Sequence, residues 1–374
     1  MAPFLVLSDS TVHEILIHLS KDEIISFQKT LEACLMEFST GDERQYQLPP
    51  GIVTRPNGQK TLFRPFTSPT SVGTKIAVEP APDLQLPLHG MLALCDEKGL
   101  PTGVINAEEV TGYRTSLTAM IPYLRRRSTQ NIVVFGAGKQ ALWHIRLALA
   151  LRGPEIHTIT IVNRSEGRAQ SLLTKVEEEN KQYWKSEAEF TVLSSLQPGY
   201  NGHLAEILRE ADIIFCTVGS SKFLFPLAHL LQGRERKSLP FVSAIGSWQA
   251  DMIELDPDML KYAANLGKTN DINAIAGSGG MVIVDDLAEA LVKSGEIIQS
   301  GLGPEELIEV GQVLEWNRDP SQIVHTSRER FDLCLEEGFL IFKVVGVSAT
   351  DLAAGNAILS LARDRSLGVV IQDF

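Results

Sequence analysis

Short apolar runs alternate with longer amphipathic segments through the middle of the chain. Five runs have the length and composition of buried strands. They are NIVVF (131–135), TITIV (158–162), IIFCTV (213–218), FVSAIG (241–246) and MVIVD (281–285). Between the earlier runs, apolar residues recur at helical spacing over 140–151, 167–184 and 202–211. Strands and helices in alternation predict a parallel sheet with right-handed crossovers, which is a doubly wound α/β domain.

The first part of the chain has a different pattern of apolar residues and turns. A short strand precedes a helix capped near Ser8, and a second helical run ends at Gly41. Over residues 46–110, short apolar runs alternate with Pro and Gly turns, which predicts a meander of strands with a hairpin turn at Lys98–Gly99. The chain closes over 336–365 with a strand, a glycine turn and an amphipathic helix. That helix is predicted to return and pack on the N-terminal domain.

Composition and charge narrow the class of protein. A chain of 374 residues exceeds what one hydrophobic core usually holds, so two domains are expected. The net charge of −12 argues against nucleic acid or an anionic membrane as a partner. The four cysteines lie far apart, so neither a zinc site nor a disulfide framework is predicted, and Cys216 is assigned to the core. With no apolar stretch of membrane-spanning length, a cytoplasmic globular protein is expected.

The run NIVVF leads into a glycine turn of the kind that holds a dinucleotide. The sequence FGAGKQA gives G-x-G-x-x-A, with Gly136, Gly138 and Ala141 at the fixed positions and Ala137 and Gln140 between them. The first glycine permits the tight turn, the second lets the backbone approach a pyrophosphate, and the small last residue lets the helix pack closely. A strand precedes this glycine turn and an apolar helix follows it. This context favours a dinucleotide site over an ordinary strand-to-helix turn in which glycine is needed for geometry alone.

The end of the following strand bears on which cofactor is bound. NAD is usually held there by an acidic residue that accepts from the ribose hydroxyl. This chain has Asn163, Arg164 and Ser165 instead, with Arg168 close behind. An arginine can bind a 2′-phosphate through charge-assisted hydrogen bonds, so NADPH is favoured over NADH. The alternative is that both arginines are ordinary solvated side chains at the start of a helix.

Several linked motifs resemble those of the ornithine cyclodeaminase / mu-crystallin family. In chain order they are GTKIAVEP, GLPTGVINAEEVTGYRTSLTA, FGAGKQA, IVNRS, ADIIFCTV, AIGSWQADMIELD and IFKVVGVSATDLAA. No single motif is diagnostic, but their order and spacing are specific and cover nearly the whole chain.

The resemblance implies a domain arrangement and a class of chemistry. A Rossmann NAD(P)-binding domain (121–321) is expected to be inserted into a split α+β substrate-binding and dimerisation domain (1–120 plus 322–374), in a homodimer. The family's members use NAD(P)(H) on small α-amino or α-imino acids. They include ornithine cyclodeaminases, ketimine reductases, some alanine dehydrogenases and enzymes that join amino acids reductively, and mu-crystallins also serve as ligand-binding proteins.

The resemblance also assigns roles to individual residues. Lys75 matches the family's active-site lysine, and Arg114 matches its carboxylate-binding arginine. Thr115 begins a segment that contacts the cofactor phosphates, and the pair Thr217 and Val218 ends a second cofactor-binding motif. Gly346 is expected to approach the nicotinamide, where only glycine allows close backbone contact. Asp351 is predicted to cap the last helix or, alternatively, to orient a group in the pocket.

Three positions depart from the family's pattern. Gly51 stands where the family often has an arginine that binds the substrate carboxylate. Arg64 stands where methionine is usual, and it either replaces the missing guanidinium or binds a different acidic group. Trp248 stands where cyclodeaminases carry an aspartate, although a shift in register would bring Asp251 to that place.

The third departure favours reduction over cyclodeamination. Cyclodeamination needs a positioned acid/base, and tryptophan only donates a hydrogen bond. The predicted function is therefore NADPH-dependent reduction of a C=N bond in a small cyclic or N-substituted α-imino acid, with Trp248 and Gly51 shaping the pocket. Two alternatives remain. One is a cyclodeaminase, amino-acid dehydrogenase or reductive coupling enzyme, and the other is a non-catalytic NADPH- and ligand-binding protein.

Overall fold

The computed structural model describes residues 3–84, 86–233, 238–247, 249–268, 279–323, 328–372 and 374. Within these ranges the strands are β1 (Phe4–Leu7), β2 (Gly51–Thr54), β3 (Lys60–Ser68), β4 (Ser71–Glu79), β5 (His89–Asp96), β6 (Pro101–Asn106), β7 (Asn131–Phe135), β8 (Thr158–Asn163), β9 (Glu189–Ser194), β10 (Ile213–Cys216), β11 (Phe241–Ala244), β12 (Gly280–Val284), β13 (Ile308–Glu309), β14 (Phe339–Lys343) and β15 (Val369–Ile371).

The α-helices in the same ranges are α1 (Asp9–Ile17), α2 (Lys21–Thr40), α3 (Ala107–Tyr123), α4 (Lys139–Arg152), α5 (Glu166–Glu179), α6 (Tyr200–Glu210), α7 (Ala228–Leu231), α8 (Pro257–Lys268), α9 (Leu287–Lys293), α10 (Gly295–Ser300), α11 (Val310–Arg318), α12 (Arg328–Glu337) and α13 (Ser348–Asp364). None of these helices combines the length and the apolar character needed to cross a membrane.

The chain divides into two compact units. Unit 1 comprises Met1–Arg114 and Val347–Phe374, and unit 2 comprises Thr115–Gly346. Unit 1 contains a seven-stranded mixed sheet in the order β15-β1-β6-β5-β4-β3-β2. Unit 2 contains an eight-stranded sheet in the order β13-β12-β14-β11-β10-β7-β8-β9.

Unit 1 follows the predicted elements closely. Ser20 and Glu23 form a capping box at the start of α2, and the helix ends at Gly41 as predicted. Strands β2 to β6 form the expected antiparallel meander, with Gly99 in the left-handed region at the hairpin turn (φ 80°). Helix α13 packs on α2, so the C-terminal segment returns to the N-terminal unit.

Unit 2 is the predicted doubly wound domain. All of its strand pairs are parallel, and the central strand β10 (IIFC) is buried along its whole length, because helices cover both faces of such a sheet. The fold class is therefore confirmed: a Rossmann α/β domain is inserted into a second, split α+β domain.

The second domain boundary differs from the expected one. The predicted break lay between residues 321 and 322, whereas unit 2 extends to Gly346. The cause is β14, which pairs in parallel with both β11 and β12 and so belongs to the eight-stranded sheet. The first break lies between Arg114 and Thr115, within α3, six residues before the predicted one.

Candidate functional site

The carboxylate of Asp351 lies at the centre of a buried ion cluster in unit 1. Lys75 Nζ donates to Asp351 Oδ1 at 3.2 Å, and Arg114 Nε donates to the same oxygen at 3.0 Å. The hydroxyl of Thr111 accepts a hydrogen bond from Lys75 Nζ at 2.7 Å and donates one to the carbonyl of Ala107. Only 7% of the Lys75 side chain and 5% of the Arg114 side chain are exposed, and Asp351 is fully buried. We call these residues the Asp351 cluster.

Local structure explains how each member of the cluster is placed. Lys75 points to the buried face of β4, the face it shares with Ser71 and Ala77. Thr111 and Arg114 are three positions apart on α3 and so share one face of that helix. Asp351 lies in the first turn of α13, where the helix dipole also favours a negative charge.

Arg64 adds a third positive charge to this side of the sheet. It lies on β3 directly opposite Lys75, and residues paired across antiparallel strands point to the same face. Its positive charge acts on both Lys75 and Asp351. Three cations therefore surround one buried carboxylate when Lys75 is protonated, which is an environment suited to a second, incoming anion.

The pKa values in the cluster reflect both burial and charge. Burial lowers the pKa of Lys75 to about 8, with Asp351 opposing the shift and Arg114 and Arg64 adding to it. Burial alone would raise the pKa of Asp351, but Arg114 and Lys75 outweigh it and hold that pKa at about 2. Asp351 is therefore a carboxylate at neutral pH, and the Lys75 ammonium can exchange its proton at a pH close to neutral.

Asp351 does not cap its helix. The N-terminal cap of α13 is Val347, whose side chain makes no capping bond, and Asp351 instead holds Lys75 and Arg114. The first of the two sequence-based interpretations of Asp351 is therefore wrong, and the second, that it orients groups in the pocket, describes the geometry.

The positions that depart from the family's pattern have separate locations. Gly51 pairs with Phe63 at the start of β2, so it points to the face of the sheet opposite Lys75 and Arg64. The structure thus does not bring Gly51 to the Asp351 cluster, because adjacent strand positions alternate between faces. Asp251 lies in an exposed turn, and Trp248 lies outside the described residues.

Within the described ranges, no group of three or more His, Cys, Asp or Glu is arranged to hold a metal ion.

The glycine turn of unit 2 has the geometry that a dinucleotide needs. Gly136 has φ 113°, and a Cβ there would lie 2.6 Å from Thr217 Oγ1, so only glycine fits. Gly138 caps α4, and a Cβ there would meet nothing within 4 Å, which leaves open space in front of the helix N-terminus. Ala141 is fully buried, as close packing of α4 requires. Ala137 and Gln140 are half-buried beside these positions.

The segment after β8 presents positive charge to solvent. Arg164 and Arg168 are both exposed. Ser165 caps α5 by accepting from the Arg168 N–H, and the Asn163 amide donates to the Ser165 carbonyl at 2.8 Å. No acidic residue occupies positions 163–165, and Glu166 follows them in the first turn of α5.

Other predicted cofactor residues are held by internal hydrogen bonds. The Thr217 hydroxyl donates to the Phe135 carbonyl at 2.7 Å. The N–H of Val218 donates to Glu254, and the N–H of Gly346 (φ 100°) donates to Asp285. Thr115 is buried on α3. The sequence patterns did not indicate Glu254 or Asp285, since neither lies in a spacing that predicts a site.

The fold and the glycine turn together define a dinucleotide-binding domain of the Rossmann class. Residues 122–244 match the family described as Shikimate / quinate 5-dehydrogenase. The matched segment is the first part of unit 2.

Comparisons over more of the chain indicate its relatives. An uncharacterized cyclodeaminase from Dictyostelium discoideum is 27% identical over 73% of this chain and 69% of its own length. The same fold occurs in a Thermococcus litoralis Delta(1)-pyrroline-2-carboxylate reductase with NADH and L-proline (TM-score 0.74, 17% identity, 98% of this chain and 100% of that chain). It also occurs in an archaeal alanine dehydrogenase dimer with bound NAD (TM-score 0.72, 20% identity, 99% of this chain and 99% of that chain). The resemblance to the ornithine cyclodeaminase / mu-crystallin family is confirmed.

Proposed function

We propose that this protein is an NADPH-dependent imine reductase that acts on a small cyclic or N-substituted α-imino acid. The observation that carries the proposal is the Asp351 cluster together with Arg64: three cations act on one carboxylate, and one of them is a buried lysine with a pKa of about 8. Such a site can bind a carboxylate and supply a proton. The same fold in a pyrroline-carboxylate reductase supports this reaction class.

The residues of unit 2 fit a nicotinamide dinucleotide. The open space over Gly138 and the N-terminus of α4 suit a pyrophosphate, and Gly136 permits the turn that exposes them. When bound, the reduced cofactor supplies a hydride for the C=N carbon. Gly136, Gly138 and Gln140 would hold its pyrophosphate, and Arg164 with Arg168 would hold the 2′-phosphate.

Two arginines of unit 1 are suited to bind the substrate carboxylate. Arg114 engages Asp351 through Nε, and a guanidinium presents five donors, so the group can serve two carboxylates at once. Arg64 faces the same side of the sheet as Lys75 and supplies a second guanidinium there. Asp351 fixes the position of Arg114 without neutralising the whole cluster.

Lys75 is the proton donor in this proposal. Its ammonium is held by Thr111 and Asp351, and its lowered pKa makes it a better acid than an ordinary lysine. The active form of the lysine is protonated. With saturating NADPH, turnover should therefore be constant below about pH 8 and fall as the pH rises through that value.

An assay with cyclic imines tests the function. Purified protein is incubated with pyrroline-2-carboxylate or piperideine-2-carboxylate, and NADPH consumption is followed by absorbance over a range of pH. The expected result is turnover that declines above about pH 8. Ammonia release from ornithine with the oxidised cofactor, without imine reduction, would instead identify a cyclodeaminase. NADPH binding with no turnover of any imine, keto acid or amine would identify a binding protein.

NADPH is the proposed cofactor because of the exposed arginines after β8. Replacement of Arg164 by alanine should raise the Kd for NADPH by roughly tenfold or more, since hydrogen bonds to charged groups contribute about 1.5–3 kcal/mol. The Kd for NADH should stay the same, because that cofactor lacks the 2′-phosphate. Lys175→Ala, an exposed change on α5, the helix that follows Arg164, is the control. Equal Kd values for both cofactors in the unchanged protein would contradict the assignment.

A homodimer is proposed from one face of the seven-stranded sheet. Phe63, Ile76 and Met91 form a row across β3, β4 and β5 on the face opposite Lys75, and Val53 and Val72 lie on the same face. Phe63 and Met91 are 42% and 43% exposed. Exposed apolar side chains in such a row are typical of a protein interface. The archaeal alanine dehydrogenase that has the same fold is a dimer.

Sedimentation provides the measurement for the dimer. The protein should sediment at about twice the 41.1-kDa chain mass, and Phe63→Asp combined with Met91→Asp should produce the monomer. Leu196→Asp, at a side chain 79% exposed in unit 2, is the control and should leave the mass unchanged. A monomeric unchanged protein at micromolar concentration would refute the proposal.

A further inference from the structure

A fully buried carboxylate joins two loops at the carboxyl edge of the unit 2 sheet. Glu254 Oε1 accepts from the N–H of Val218, after β10, at 2.6 Å, and its Oε2 accepts from the N–H of Gly246, after β11, at 2.5 Å. The carboxyl edge of a parallel sheet is where dinucleotides bind. Both oxygens of one side chain are therefore used to fix the backbone of two adjacent loops at that edge.

The loop held by Glu254 lies directly against the glycine turn. A Cβ built at Gly136 would lie 2.6 Å from Thr217 Oγ1 and 3.2 Å from Val218 Cγ2. Thr217 is tied in addition to Phe135, the residue before that glycine, through its hydroxyl and its N–H. Glu254 thus acts on the glycine turn through Val218 and Thr217. Because Thr217 is hydrogen-bonded to Phe135 and leaves no room for a side chain at position 136, a displacement of residues 217–218 is transmitted to the glycine turn.

A buried lysine balances the charge beneath this contact. Lys343 Nζ lies 3.2 Å from Glu296 and 4.0 Å from Glu254, and Ser247 donates to Glu296 at 2.7 Å. Glu254, Glu296, Ser247 and Lys343 are all fully buried. Because Lys343 keeps Glu296 as its partner, loss of the charge on Glu254 does not leave a buried cation unpaired.

We propose that Glu254 is a positioning residue for the dinucleotide: it holds the 217–218 loop against Gly136 and so fixes the turn that binds the pyrophosphate. The inference rests on the proposed function only in that unit 2 binds a nicotinamide dinucleotide.

The protonation state of Glu254 gives the contact a pH dependence. Burial raises the pKa of Glu254 to about 7, against the effects of Lys343 on β14 and of the two backbone N–H groups, while Glu296 on α10 reinforces the shift. Cys216 on β10 faces the same group, and its pKa is raised well above its usual range, so it stays neutral. Protonation removes an acceptor, because a carboxyl O–H cannot accept from an N–H that points at its hydrogen.

Glu254→Gln is the test, with Asp212→Asn as its matched control. Asp212 is also a buried carboxylate that accepts a backbone N–H, that of Asn131 at 2.9 Å, but it precedes β10 at the opposite edge of the sheet. We expect Glu254→Gln to raise the Kd of NADPH and NADH at least tenfold at pH 8, and Asp212→Asn to leave both unchanged even where it lowers Tm. The Kd of the unchanged protein and of Asp212→Asn should rise from pH 8 to pH 6, and that of Glu254→Gln should not.

Hydrogen–deuterium exchange without cofactor provides a second measurement. The amides of residues 217–219 and 245–247 should exchange faster in Glu254→Gln than in Asp212→Asn, and Glu254→Asp, whose shorter side chain cannot reach both loops, should act in the same direction. Equal Kd values for Glu254→Gln and the unchanged protein, or an equal loss in Asp212→Asn, would overturn the proposal. Cofactor binding that depends on Glu254 without imine turnover would refute the proposed reaction and leave this inference standing.

Discussion

Replacement of Lys75 by methionine is expected to lower kcat for imine reduction by about 10²–10⁴-fold, the range that a positioned acid contributes. Methionine keeps the apolar stem and much of the volume of the side chain but cannot donate a proton. Asp351 retains Arg114 as a partner, so the buried carboxylate is not left without a cation. The loss should therefore appear in turnover rather than in folding.

Cofactor affinity separates this effect from a general defect. The Kd of NADPH should be unchanged in Lys75→Met, because the glycine turn belongs to unit 2 and Lys75 to unit 1. Lys60→Met is the matched control: Lys60 lies on β3 of the same sheet, is about one-third exposed and pairs with Glu79. It should retain full activity. Turnover of Lys75→Met within tenfold of the unchanged protein would show that water, and not Lys75, supplies the proton.

The elements were predictable where local pattern and fold agree. The strands around the glycine turn are apolar along their length because both faces of the sheet are covered, and that pattern is visible in the sequence. β9 is an edge strand with an exposed start and β15 has three exposed residues, so neither carries that pattern. The second domain boundary was misplaced for a related reason, since the membership of β14 depends on pairing with β11 and β12.

The site was predictable only in part, because its contacts are long-range. Lys75 and Arg114 were identified through the motifs that contain them, but the partner that joins them lies 276 positions beyond Lys75. No spacing rule links residues at that distance, and an acidic residue in the first turn of a helix ordinarily indicates a cap. Gly51 shows a second limit of prediction from sequence. The face of the sheet to which it points depends on the pairing register of β2, and a shift of one residue would move it to the other face.

Asp351→Asn should impair both stability and the protonation of Lys75. Asp351 is fully buried and holds Lys75 and Arg114, so its neutralisation leaves buried cations without their counter-ion. The free energy of unfolding should fall by about 3 kcal/mol at pH 7, as when one partner of a buried ion pair is removed. Asp364→Asn, an exposed change on the same helix, is the control for urea unfolding.

The pH dependence distinguishes a specific role of Asp351 from simple loss of packing. Its folded-state pKa of about 2 lies below the ordinary value of 3.8, so its stabilisation is complete above about pH 4 and is lost as the pH falls through 2. The stability difference between the two proteins should shrink over that window. In activity, Asp351 raises the pKa of Lys75, so the decline of turnover with pH should begin below pH 8 in Asp351→Asn. An active variant whose decline still begins near pH 8 would show that Asp351 orients the lysine without controlling its proton.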